Sequence, residues 1–142
     1  RNKISYSSNL KNMKTRLLLY VAVLIFNHGY SQQKSVPKID INGVWEDINS
    51  GVENAVAIIS EQNGEIIFTH YLEWKGQKFV ESGTGKRIGN TITYTVNVTL
   101  PIEGWATAGT HTLTLSEDGN KLEGTFKDNK DRSGPIAFKR VR

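Results

Sequence analysis

Residues 90–100 read NTITYTVNVTL, a strict alternation in which Ile92, Tyr94, Val96, Val98 and Leu100 share one side and Thr91, Thr93, Thr95, Asn97 and Thr99 the other. A strand turns its side chains to opposite faces every second residue, so this stretch predicts a half-buried strand with threonines on the wet face. The same period extends outward in both directions. In residues 65–75, Ile66, Phe68, His70, Leu72 and Trp74 face one way. In 110–116, His111, Leu113 and Leu115 do so, and in 121–127 Leu122, Gly124 and Phe126. Segments 43–48, 54–61, 77–82 and 135–141 complete eight expected strands, although in 77–82 neither face is plainly apolar. No segment carries apolar residues at the three-and-four spacing of a helix.

The joints between these runs are turn residues. Asn63-Gly64, Lys75-Gly76, Gly89-Asn90 and Asp118-Gly119-Asn120 each offer Gly or Asn where a tight hairpin needs positive φ. Gly83-Thr84-Gly85-Lys86 lacks the spacing of a phosphate loop and reads as a twist or bulge between the fourth and fifth strands. Residues 101–109 (PIEGWATAG) form a longer connection that carries Trp105. The fold class is therefore all-β, an eight-stranded antiparallel up-and-down meander. Closure into a barrel would remove its exposed edges. A sandwich of two sheets fits the same pattern.

The N-terminal third is different in kind. Residues 13–33 (MKTRLLLYVAVLIFNHGYSQQ) have a basic start, an apolar run from Leu17 to Phe26 and a small-x-small exit at Gly29 and Ser31. This is the layout of a secretory signal peptide, and ten apolar residues fall short of the ~20 that cross a bilayer. The expected organisation is upstream residues 1–12, signal peptide 13–31, flexible leader 32–40 and β domain 41–142. A cut after Ser31 leaves 111 of the 142 residues. All of the excess positive charge goes with the removed segment, which holds five basic and no acidic side chains; the remainder carries 13 basic against 14 acidic. A basic patch for nucleic acid or an anionic membrane is thereby lost, and no stable membrane span is expected after cleavage. The chain has no cysteine, which excludes thiol catalysis, thiolate metal sites and lipid attachment at the cut. The expected location is exported, periplasmic or extracellular, and not as a lipoprotein.

With the strands placed, Gly43-Val44-Trp45 resembles the Gly-x-Trp signature on the first strand of calycins, the group that includes lipocalins and avidins. The resemblance implies a closed small barrel, with a basic residue of the last strand, Arg140 or Arg142, set against Trp45. The avidin pattern has a biotin-binding Asn two residues after its Trp, where this chain has Asp47. The resemblance thus extends to architecture and not to that ligand.

Candidate chemistry is sparse. His70 and His111 lie on apolar faces of well-patterned strands and could take a ligand's polar group; equally, they could be hydrogen-bonded core histidines. No third metal ligand is spaced to join them, so neither a metal site nor a cofactor is expected. Glu81 or Asp47 would stand near an imidazole if their strands turn them inward, but no nucleophile elbow or catalytic motif is present, and no catalytic residue is assigned. Trp74 and Tyr94 sit on expected inner faces, and Trp105, in a loop of small residues, suits a lid or a plug. The expected function is a non-enzymatic barrel that binds a small apolar or amphipathic ligand through His70, Trp74, Tyr94, Trp105 and His111. The alternatives are a module that docks on an envelope protein or glycan, and a small barrel enzyme.

Overall fold

A computed structural model describes residues 38–141. The upstream residues, the signal-like segment and the leader as far as residue 37 lie outside the described residues. Eight strands follow one another: β1 (Gly43–Asp47), β2 (Glu53–Gln62), β3 (Glu65–Trp74), β4 (Gln77–Ile88), β5 (Thr91–Val98), β6 (Ala108–Leu115), β7 (Lys121–Asp128) and β8 (Ser133–Arg140). Each pairs antiparallel with the next, and β8 returns to β1 through the pairs Trp45↔Arg140, Glu46↔Lys139 and Asp47↔Phe138. The sheet is a closed barrel, which decides against the sandwich. Among the described residues no helix is long and apolar enough to cross a membrane.

The alternations at β3, β5 and β6 place the expected residues inside. Ile66, Phe68, His70 and Leu72 are buried on β3; Ile92, Tyr94, Val96 and Val98 on β5; His111, Leu113 and Leu115 on β6. Leu100 departs from the expectation. Pairing of β5 ends at Val98, Pro101 follows, and Leu100 is 74% exposed. The alternation runs on past the last residue that the sheet can bury.

The larger difference is β4. It does not stop at Ser82 but continues through Gly83-Thr84-Gly85-Lys86 to Ile88, in unbroken register with β3 and β5. No bulge is present there. The glycines are required because β5 crosses them closely: a Cβ on Gly83 would stand 1.6 Å from the Thr95 carbonyl oxygen, and one on Gly85 2.1 Å from that of Thr93. Glycine in a barrel strand marks such a close backbone approach. The inward face of β4 is therefore Phe79, Glu81, Gly83, Gly85 and Arg87.

The barrel has two dissimilar ends. One is sealed around Trp45, whose indole Nε1–H donates to the Ile41 carbonyl at 3.0 Å. The Arg140 guanidinium lies over the indole, 4.5 Å from the ring centroid, and donates to the carbonyls of Gly119, Asn42 and Asp40. Such a cation over a Trp face contributes about 0.5–2 kcal/mol. Arg87, its side chain buried, donates to the Ile39 carbonyl at 2.7 Å and pairs with Glu61 at 3.0 Å; Lys38 joins the same carboxylate. Residues Lys38 to Asp40, read from sequence as the end of a flexible leader, are thus fastened to the barrel. The other end carries the β1–β2, β3–β4, β5–β6 and β7–β8 connections, packed around a smaller cluster of Ala55, Leu72, Phe79 and Val98.

Candidate functional site

Between the sealed core and the loop cluster lies a polar layer, and above it a cavity of about 290 Å³. The layer starts with Asp47, the last residue of β1, which has the inward parity of Trp45 two residues earlier. Asp47 Oδ1 accepts from the backbone N–H and side-chain amide of Asn49, a local turn that fixes the carboxylate. Asn49 is held in turn by two hydrogen bonds to the Ala137 backbone on β8. From β3 comes His70, and from β4, directly opposite it in register, Glu81.

These three side chains are nearly dry: 1% exposed for His70, 4% for Asp47 and 7% for Glu81. His70 Nδ1 donates to Glu81 Oε1 at 3.1 Å. Its Nε2 lies 3.3 Å from Asp47 Oδ2, within ion-pair range, yet has no acceptor in line and is left without a hydrogen bond. Burial by itself disfavours the imidazolium, but the two carboxylates outweigh it and raise the His70 pKa above the usual imidazole value. Rings of Phe68 and Phe138 stand edge-on to the imidazole and fix its plane.

His111, on β6, is the layer's second imidazole. Its Nδ1 and the Tyr94 hydroxyl are hydrogen-bonded at 3.0 Å. Burial, aided by the nearby His70 charge, lowers the His111 pKa despite the opposing pull of Glu81 and Asp47. Burial first, then the charges of Glu81 and Asp47, raise the Tyr94 phenol well above its ordinary value. The pair is thus a neutral imidazole joined to a protonated phenol. Among the described residues no group of three or more His, Cys, Asp or Glu is placed to hold a metal ion.

The walls above are mostly apolar, with Leu72, Trp74, Val96, Trp105, Phe126 and Ile136 among them. Trp105 packs against Trp74 and Phe79, with ring centroids 5.4 and 5.0 Å apart. Gly104, at φ +83, lets this loop lie down; a Cβ there would meet the Trp74 ring at 3.0 Å. At the rim Asp128 accepts from Arg132 Nε at 2.8 Å and from the backbone N–H groups of Lys130 and Arg132, closing the β7–β8 turn on itself.

Of the residues singled out from sequence, His70, Trp74, Trp105 and His111 line this cavity. Tyr94 does not: its ring stacks on Phe68 at 4.1 Å within the core, and only the hydroxyl reaches His111. Trp45 and Arg140 stack on each other at the opposite end. Asp47 and Glu81 were legible only as conditional neighbours of an imidazole, and both are in the polar layer. Asp128, Arg132 and the Asn49 brace carried no period-two signal, because all three belong to turns or their margins. Comparison with family models, with curated proteins and with solved structures finds no match for this chain.

Proposed function

We propose that this chain is an exported, calycin-like barrel that binds one small apolar or amphipathic molecule at its loop end. The observation that carries the reading is the cavity itself: an apolar chamber roofed by Trp74 and Trp105 over a floor of Asp47, His70, Glu81 and His111. Small-molecule sites have this build, with mostly apolar walls and few polar groups that fix orientation, in volumes of about 300–1,000 Å³. Eight strands enclose about the room for one such ligand. The signal-like segment supports export, and Trp45 beneath Arg140 in a closed barrel supports the calycin likeness.

The test is a titration with N-phenyl-1-naphthylamine, an uncharged probe that fluoresces in apolar surroundings. Saturable enhancement is expected, with Trp105→Ala weakening it about tenfold, the scale of one well-packed aromatic contact. No enhancement, and no binding to a panel of lipids, haem and sugars, would overturn the reading.

A second reading rests on the His70–Glu81 contact in an accessible cavity. An imidazole held by an inward carboxylate is the arrangement of a general acid–base pair. A catalyst would return its bound ligand chemically changed, and His70→Gln would abolish the change without abolishing binding. A binder returns the ligand intact.

A further inference from the structure

The floor of the cavity does not balance its own charge. Two carboxylates, Asp47 and Glu81, face one imidazole, His70; the remaining polar pair, Tyr94 and His111, adds no cation. Other inward or rim cations are engaged elsewhere. Arg132 is bound to Asp128 at 2.8 Å and Lys75 lies over the Trp74 ring, 4.4 Å from its centroid, while Arg87 and Arg140 serve the sealed end through Glu61, Ile39 and Trp45. Pairing within the floor is also incomplete. Asp47 Oδ1 accepts both Asn49 N–H groups, whereas Oδ2 has only His70 Nε2 at 3.3 Å and out of line. Glu81 Oε1 takes the His70 N–H, and Oε2 has no hydrogen-bond partner among the described residues. Neither Glu81 Oε2 nor Asp47 Oδ2 is fully buried, so a group of opposite sign that enters the cavity can reach both. The walls suit the rest of such a guest, since Leu72, Trp74 and Trp105 line the cavity with apolar surface.

Resting on the reading of this cavity as a ligand site, we propose that its ligand is a small amine. The ammonium pairs with Glu81 and Asp47 at the floor, and an apolar body of about one ring lies between Leu72, Trp74 and Trp105.

The experiment is calorimetric titration of the described barrel's full chain at pH 7.5 with three compounds sharing a phenyl body: 2-phenylethylamine, 2-phenylethanol and 3-phenylpropionate. The amine is expected to bind about 30-fold more tightly than the alcohol, the fold-change of one desolvated charge contact, and the acid not at all. Glu81→Gln and Asp47→Asn should each remove most of the amine's advantage over the alcohol, with circular dichroism and thermal unfolding reporting that each variant is folded. Equal binding of amine and alcohol, or preference for the acid, overturns the amine proposal and leaves the ligand site standing. Binding of none of the three to the wild type overturns both.

Discussion

Glu81→Gln removes one of the two carboxylates that flank His70 while keeping the side chain's size. The lost contact is a hydrogen bond at 3.1 Å between charged groups in a nearly dry layer. Bonds of that kind contribute about 1.5–3 kcal/mol, and Asp47, 3.3 Å from the other ring nitrogen, still supports the imidazolium in part. A loss of about 2 kcal/mol is expected at pH 6, or about 8 °C in Tm for a domain of this size. The sign of its pH dependence follows from the raised His70 pKa. A pKa higher in the folded than in the unfolded chain gives stability that is full below about 6.5 and lost as pH rises through the folded value. The cost of Glu81→Gln should therefore shrink from pH 6 towards pH 9.5. The titratable groups acting on His70 are Asp47 on β1 and Glu81 on β4, and His111 on β6 feels its charge. The lowered His111 pKa has the opposite sign, adding stability as pH rises towards about 6.5, and it does so in wild type and variant, so the comparison is between their Tm losses. Thermal unfolding at both pH values, with an NMR titration of the His70 ring, is the assay. An equal Tm loss at pH 6 and 9.5, or a His70 midpoint unmoved in the variant, would refute the reasoning.

Other expectations concern the frame. Gly83→Ala should cost about 3 kcal/mol, because the added Cβ meets Thr95 and Val96 backbone that cannot swing aside; urea denaturation showing less than about 1 kcal/mol would contradict the close crossing of β4 and β5. Trp45→Ala should cost about 3–5 kcal/mol by the same measurement, since a fully buried indole at the sealed end leaves a void and frees Arg140. Arg87→Met should destabilise by about 3 kcal/mol, because the buried Glu61 carboxylate keeps only Lys38 and the Gly64 N–H among the described residues. That loss should ease as pH falls through the range where Glu61, its pKa lowered by Lys38 and Arg87 against the opposing effect of burial, takes up its proton.

Much of the barrel is legible in the sequence because one face of most strands meets water. Threonines outside β5 and apolar residues inside it write the alternation out directly. On β4 the inner face carries Glu81, Gly83, Gly85 and Arg87, so chemistry and close backbone crossing erase the apolar period; the glycines then pass for a turn. Closure is legible only indirectly, through the cost of open edges and the Gly-x-Trp resemblance. The Trp45↔Arg140 pair joins the two ends of the chain's β domain, and no local pattern encodes a contact over that separation. Within the site, His70 and His111 stand out because an imidazole on an apolar face breaks the pattern. Asp47 shares the parity of Trp45, yet it ends its strand, where parity no longer guarantees burial. Trp105 owes its place to Gly104 and the Trp74 ring, a packing solution specific to one loop.

The chain's three tryptophans allow one direct test of where the ligand goes. Trp74 and Trp105 roof the cavity, and Trp45 lies at the sealed end. Indole N–H signals in a proton–nitrogen spectrum, followed while 2-phenylethylamine is added, report the two ends separately. Saturable shifts at Trp74 and Trp105 with Trp45 unmoved are the expected result. Shifts of equal size at Trp45, or no shift at any of the three, would contradict a ligand site at the loop end of the barrel.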